Sequence, residues 1–152
     1  MQPRTKPLVY LAARYSRREE LRGYAAQLEE LGLASVPARW LHEDHDWDGT
    51  TEEEGLLRAQ GLALDDLEDV WRAHALVLFT EEAGQYRRGG SLVELGFALG
   101  KGKHVVIVGP APNVFCTLAS IVRVATWTDA VAHLVEWRRA VESAATRKAL
   151  LQ

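Results

Sequence analysis

The chain alternates between short, unbroken apolar runs and longer segments whose apolar residues recur at helical spacing. A short apolar run bounded by turn residues is typical of a strand that is buried on both faces. Five such runs occur, the second weaker than the others: 7–13, 33–38, 75–80, 104–109 and 120–127. Four further segments have helical periodicity and predict amphipathic helices: 16–32, 50–74, 90–102 and 128–151.

Strands and helices that alternate along a chain form a mostly parallel sheet, because neighbouring parallel strands need a crossover connection between them. The sequence therefore predicts a small doubly wound α/β fold of the flavodoxin or Rossmann type. We expect a mostly parallel five-stranded sheet with helices on both faces. The 152 residues suit a single domain spanning 1–152, since a chain of this size buries enough surface to fold by itself.

Loops at the carboxyl ends of the strands are where such folds bind their ligands. In this chain those loops are ARYS after the first strand, TEEAGQYRRGG after the third and GPAPNVF after the fourth. We therefore expect one ligand site formed by these three segments.

Composition narrows the classes of partner. The net charge is −3 and no basic stripe is present, which argues against long nucleic acid, because Lys and Arg contacts to phosphates supply most of that affinity. The apolar run 8–13 is too short for a signal peptide or a membrane span. Cys116 is the only cysteine, so nothing indicates an oxidising compartment. We expect a cytoplasmic protein that binds a small molecule and no membrane.

The segment DHDWDGTTEEEG imitates a calcium-binding loop. Asp44, Asp46 and Asp48 stand at alternate positions and Gly49 takes the sixth. The twelfth position needs a bidentate Glu, but Gly55 occupies it. We therefore expect no EF-hand.

The same loop carries two histidines, His42 and His45, without a second His or Cys cluster at ligand spacing. The sequence thus predicts no metal site. A flexible acidic loop over the ligand is the preferred interpretation, with Trp40 or Trp47 as a lid.

Glu94 interrupts an otherwise apolar helix in the stretch GGSLVELGFALG. One interpretation is structural: Ser91 and Glu94 have the spacing of a capping box, which ties the two residues together at the start of a helix. The other is chemical, because the positive end of the helix dipole favours the ionised, nucleophilic form of a carboxylate. Glycines ahead of Glu94 leave room for a ligand at the helix start. The residues alone leave both interpretations open.

Three segments taken together resemble a known family. They are VYLAARYS near the start, DLEDVWRAHALVLFT in the middle and RRGGSLVELGFALGKGKHVVIVGPAPNVF after it. Their order and spacing are similar to the nucleoside 2-deoxyribosyltransferase family, especially its small, often phage-encoded branch, and to related nucleoside 5′-monophosphate N-glycosidases. The resemblance extends over roughly residues 7 to 135.

The resemblance implies cleavage or transfer at the N-glycosidic bond of a 2′-deoxynucleoside or its 5′-monophosphate. It assigns to Glu94 the role of a nucleophile that attacks C1′ and forms a covalent glycosyl intermediate, as in retaining glycosidases. It assigns to Asp66 the role of acid and base toward the nucleobase, and nearby carboxylates would help Asp66 to hold a proton. No cofactor is implied.

The same resemblance implies which residues hold the ligand. Arg14 and Tyr15 follow the first strand, where family members contact the ligand. The other implied substrate-binding residues lie near the predicted third helix and in the loop after the fourth strand: Arg88, Gly89, Gly90, Ser91 and Asn113. Asn113 is equally typical of an ordinary turn or cap. Relatives commonly complete the site across a dimer interface, so we expect a homodimer or a higher homo-oligomer.

Arg88 departs from the family pattern. Many nucleoside-specific members carry an acidic residue about six positions before the nucleophile, where this chain has Arg88. An arginine beside a helix start favours a 5′-phosphate, which a nucleoside does not have. The departure points to a nucleoside monophosphate and leaves open whether the sugar passes to a base or to water.

Two other functions fit the same sequence. One is a nucleotide-binding or sensing module that keeps the pocket without turnover. The other is a glycohydrolase that cuts nicotinamide from NAD, because such enzymes also use a Glu in a flavodoxin-like fold.

Overall fold

The structure is a computed structural model that describes residues 5–45, 47–82, 84–85 and 89–152. Its strands are β1 (Val9–Ala12), β2 (Ala75–Phe79), β3 (His104–Val108) and β4 (Ile121–Val124). Its helices are α1 (Arg18–Glu30), α2 (Glu53–Arg72), α3 (Gly90–Gly100) and α4 (Trp127–Leu150). Short 3-10 helices cover Tyr15–Arg17, Arg39–Leu41 and Val114–Thr117. Within the described ranges, no helix is both long and apolar enough to cross a membrane.

The four strands form one fully parallel sheet in the order β1-β2-β3-β4. Val9 pairs with Ala75, which in turn pairs with His104. Every residue of β1 and β2 is buried, as expected for strands covered on both faces. The α/β class and the parallel sheet expected from the apolar runs are therefore confirmed.

The expected sheet had five strands, but within the described residues the segment 33–38 does not form a strand. Residues 33–38 contribute only one parallel bridge, between Leu8 and Ser35. Pro37 has no N–H to extend the pairing, and the backbone then turns into the 3-10 helix Arg39–Leu41. Beyond the bridge, the Trp40 indole donates a hydrogen bond of 2.9 Å to the Leu11 carbonyl. A side chain thus takes the place of further strand pairing.

Helices cover both faces of the sheet. On one face α1 packs against α4, with Tyr24 stacked on Trp127 at 4.6 Å and Arg138 donating to the Gly32 carbonyl at 2.6 Å. On the other face α2 packs against α3. The chain leaves β1 toward the bridge at Ser35 and then returns past β1 to β2. The winding direction therefore reverses between β1 and β2, which is where doubly wound sheets bind ligands.

A tight contact joins the carboxyl ends of β2 and β3. Gly109 has a φ of +117°, a conformation that glycine adopts far more readily than other residues. A Cβ at Gly109 would lie 2.6 Å from Oγ1 of Thr80. That hydroxyl donates to the Pro110 carbonyl at 2.5 Å, so Thr80 has no room to retreat without losing the bond.

We expect Gly109→Ala to lower the free energy of unfolding by about 1–3 kcal/mol, because it adds backbone strain and a clash with Thr80. Urea denaturation measures the change. Gly61→Ala is the matched control: Gly61 lies inside α2, and a Cβ added there would meet nothing within 4 Å, so alanine should stabilise by about 0.5–1 kcal/mol. Equal effects at both positions would contradict the proposed strain.

Candidate active site

A cavity of about 890 Å³ lies beside the carboxyl ends of β1 and β2. Its walls come from the residues that follow β1, from the segment 40–47, from α2 and from the start of α3. Seven of the residues expected from the sequence line it: Arg14, Tyr15, Asp66, Gly89, Gly90, Ser91 and Glu94. The structure therefore brings both expected carboxyls and most of the expected ligand-binding residues to one cavity.

Glu94 lies in the second turn of α3 and its carboxylate accepts a hydrogen bond from the hydroxyl of Tyr10. Tyr10 is fully buried in β1. The helix begins after Gly89, which has a φ of +71° and makes no side-chain cap bond. Ser91 is thus inside the helix, and the capping box that its spacing with Glu94 suggested is wrong. The carboxylate faces the cavity and is held from the strand side.

Burial raises the pKa of Glu94 to about 8. The Tyr10 hydrogen bond opposes this shift and lowers the pKa, whereas the negative charges of Asp66 and Asp69 raise it further. The sequence suggested that the helix dipole favours the ionised form of Glu94, whereas the net pKa shift is in the opposite direction. Desolvation outweighs the dipole, whose effect is worth less than full removal of a carboxylate from water.

Asp66 lies on α2 and faces the same cavity. Burial raises its pKa to about 6, and the charges of Asp69 and Asp65 raise it as well, while His45 and Arg39 lower it. Nε2 of His45 is 3.2 Å from Oδ1 of Asp66. Nδ1 of the His45 side chain, which is buried, has no hydrogen-bond partner among the described residues. The His45 residue as a whole lines the cavity beside Asp66.

Arginines line the part of the cavity that follows β1. Nε of Arg14 is 3.6 Å from Oε1 of Glu81, so the predicted ligand-binding residue is already in contact with a carboxylate. Arg18 also lines the cavity, and its guanidinium lies 4.4 Å from the centre of the Tyr15 ring. With the N–H groups at the start of α3, these side chains make this wall suitable for an anionic group.

The other residues expected at the site lie in different places. Asn113 is not among the residues that line the cavity; its side chain accepts from the Phe115 N–H at 3.0 Å and caps a 3-10 helix, the alternative that its turn context offered. Trp40 is buried with its indole bonded to Leu11, whereas Trp47, the other residue expected as a lid, lines the cavity. A lid formed by Trp47 stays a prediction. Arg88 lies outside the described residues.

Several residues that the sequence did not single out also belong to the site. Tyr10 lies within an apolar strand and gave no signal beyond being a tyrosine in a buried run. His45 was set aside because it lacks metal-ligand spacing, although it lies beside Asp66. Arg18 and Gln85 also line the cavity. Their positions depend on how loops fold back over the sheet, and local sequence patterns do not predict this.

One group of side chains in the described chain has the arrangement of a metal site. Glu43, His45 and Asp65 each offer a ligand atom, and these atoms lie within 4.8 Å of one another. Asp65 is 3.3 Å from Arg39, and Nε2 of His45 contacts Asp66. These contacts already neutralise part of the group, and the expectation of no metal stays a prediction.

Comparison with solved structures identifies the fold. A 2-deoxyribosyltransferase from the psychrotolerant bacterium Bacillus psychrosaccharolyticus superposes with a TM-score of 0.61 at 21% identity, covering 81% of this chain and 89% of that one. The chain has the deoxyribosyltransferase fold. A CMP N-glycosidase of Clostridium botulinum, BcmB, gives a TM-score of 0.48 at 17% identity over 77% of this chain and 87% of its own. No protein-family model and no curated protein sequence matches the chain.

We expect Tyr10→Phe to raise the pKa of Glu94 further, because the hydrogen bond that favours the ionised carboxylate is lost. A carbon-13 NMR titration of the Glu94 carboxyl measures this directly. Tyr24→Phe is the control, since the Tyr24 hydroxyl donates to Glu20 at 2.9 Å on α1. An unchanged Glu94 titration in Tyr10→Phe would rule out the strand-side hydrogen bond in solution.

Proposed function

We propose that the protein breaks the N-glycosidic bond of a 2′-deoxynucleoside 5′-monophosphate and passes the sugar to a base or to water. The observation that carries the proposal is the pair of carboxyls, Glu94 and Asp66, that line one cavity, with Glu94 held by Tyr10. The deoxyribosyltransferase fold and the resemblance of the sequence motifs support the same chemistry.

In the proposed first step an oxygen of ionised Glu94 attacks C1′ while the bond from C1′ to the base nitrogen breaks. Protonated Asp66 gives its proton to the leaving base. In the second step water or an acceptor base attacks C1′, the bond to Glu94 breaks, and the incoming group gives a proton to Asp66. The protein ends the cycle with the same charge and protons as it began.

The pKa values fit a cycle that needs one shared proton. With values of about 6 for Asp66 and about 8 for Glu94, the two carboxyls hold roughly one proton between them near neutral pH. The higher pKa of Glu94 favours the form in which Glu94 holds this proton. The reaction uses the form in which Asp66 holds the proton, and the Tyr10 hydrogen bond favours that form by stabilising ionised Glu94.

A 5′-phosphate is the proposed anionic group of the substrate. Arg14, Arg18 and the N-terminus of α3 at Gly90 and Ser91 line one wall, and a phosphate gains charge-assisted hydrogen bonds from such groups. The sugar would then lie between this wall and the carboxyls. His45, which lines the cavity beside Asp66, is the proposed neighbour of the base.

We further propose a cytoplasmic homodimer. Leu57, Leu64 and Trp71 recur every seven residues along α2 and are 61%, 67% and 59% exposed. Val93 of the adjacent α3 is 65% exposed. Contiguous exposed apolar side chains on neighbouring helices are typical of an interface, and this face supports pairing with a second copy.

Glu94→Gln should lower base release from dAMP, dCMP, dGMP or dTMP by at least about 10³-fold, because an amide does not form the glycosyl ester. Chromatography of free base, with and without an acceptor base, measures activity and separates transfer from hydrolysis. Mass spectrometry of the parent protein should detect the sugar adduct on Glu94.

Stability provides the control for this variant. Burial raises the pKa of Glu94 from 4.5 to about 8, so the unfolded chain loses this proton first, and folding becomes less favourable as pH rises through that range. Glu94→Gln should therefore melt at a higher temperature than the parent at pH 9. No base release by the parent from any of the four nucleotides would contradict the proposed function.

The parent enzyme should have a bell-shaped dependence of kcat/KM on pH, with flanks near 6 and 8. Below the acid flank both carboxyls are protonated and Glu94 is not a nucleophile; above the alkaline flank both are ionised and Asp66 has no proton to give. Initial rates of base release between pH 4.5 and 9.5 measure the profile. A rate that rises steadily through this range would exclude a role for Asp66 as the acid.

A further inference from the structure

An ion pair between a buried carboxylate, Asp69, and a partly exposed arginine, Arg39, lies outside the residues that line the cavity and takes no direct part in the proposed reaction. Asp69 is 1% exposed. The backbone N–H of Arg39 donates to its Oδ2 at 2.9 Å, and Nε of Arg39 lies 3.2 Å from each carboxylate oxygen. The Arg39 guanidinium thus fixes both oxygens of Asp69 in the bidentate geometry that arginine favours.

The ion pair connects two walls of the cavity. Arg39 begins the 3-10 helix Arg39–Leu41, which leads into the segment that carries His45. Asp69 lies one helical turn after Asp66 on α2, so the two carboxyls share a face of that helix. The pair therefore fixes α2 against the segment that places His45 beside Asp66.

Stability alone is a weak explanation for this arrangement. A buried ion pair loses hydration that its attraction often only balances, and an apolar pair of similar size is frequently as stable. Here both carboxylate oxygens of Asp69 are bonded, and the side chain shares a face of α2 with the half-buried Asp66. Its negative charge acts through a poorly screened interior, where charges interact more strongly than at the surface.

We propose that Asp69, fixed by Arg39, is a positioning residue whose buried charge sets the pH range in which Asp66 and Glu94 share one proton. The proposal rests on the proposed function. Asp69 touches no substrate in this scheme; it acts through the two carboxyls that do. The negative charge of Asp69 moves the pH range in which Asp66 and Glu94 share one proton to higher pH, closer to neutral pH.

Other charged groups act on the same two carboxyls and set the size of the effect. Those that shift the pKa of Asp66 or Glu94 come from β1, from the Arg39–Leu41 turn and its following loop, and from α2: Tyr10, Arg39, His45 and Asp65. Arg14 and Arg18 face the same cavity from the segment after β1. Asp69 raises the pKa of both Asp66 and Glu94. Arg39 lowers that of Asp66, so the two members of the ion pair oppose each other.

The test compares pH profiles of Asp69→Asn and the parent. Both flanks of kcat/KM should move to lower pH by roughly 0.5–1 unit in the variant, because a nearby negative charge is removed. Glu68→Gln is the matched control: it removes an equal charge that also contacts Arg39, at 3.5 Å, but whose side chain is 58% exposed. Its flanks should stay in place. Flanks that do not move in Asp69→Asn, whatever its rate, would overturn the proposal.

A second variant covers the case in which Asp69→Asn fails to fold. Arg39→Gln keeps Asp69 and removes the opposing positive charge, so the acid flank should move to higher pH; an unmoved flank would overturn the proposal. Carbon-13 titration of Glu94 and Asp66 gives the same shifts without turnover. A parent that releases no base refutes the proposed function, while this titration still decides the role of Asp69.

Discussion

The hydrogen bond from Tyr10 to Glu94 is the constraint on which the rest of the site depends. It joins the innermost part of β1 to the second turn of α3, across the point where the winding direction of the sheet reverses. A carboxylate at this position has lost most of its water, and burial raises its pKa to about 8. The hydrogen bond from the tyrosine hydroxyl replaces part of the lost hydration and opposes the rise in the pKa of Glu94.

The fold was largely predictable from sequence because its strands are buried on both faces. Such strands appear as unbroken apolar runs, and β2 and β3 coincide closely with the runs at 75–80 and 104–109. The prediction of a strand at 33–38 was wrong for a local reason, because Ser35 alone of this segment pairs with the sheet. Apolar content predicted burial there correctly, but a proline and a turn decide whether a buried segment becomes a strand.

The site residues that could be predicted from sequence are those that are close in sequence or that follow a strand directly. Gly89, Gly90, Ser91 and Glu94 lie together because one helix start holds them, and the carboxyl ends of parallel strands bring Arg14 to the same cavity. The contacts of Tyr10, His45 and Asp69 depend on pairs of residues far apart in sequence. The raised pKa of Glu94 was not predictable for the same reason. The helix dipole is a local effect that the sequence shows, whereas desolvation of the carboxylate comes from the whole surrounding fold.

The bond from the Trp40 indole to the Leu11 carbonyl also protects the edge of the sheet at high protein concentration. The free edge of a parallel sheet offers unpaired carbonyl and N–H groups, which other chains can use to add strands. In this protein β1 is such an edge beyond its bridge to Ser35. The bulky Trp40 indole occupies the Leu11 carbonyl that an incoming strand would need. Lateral growth of the sheet into aggregates is therefore blocked on this side by an aromatic ring instead of a charged residue.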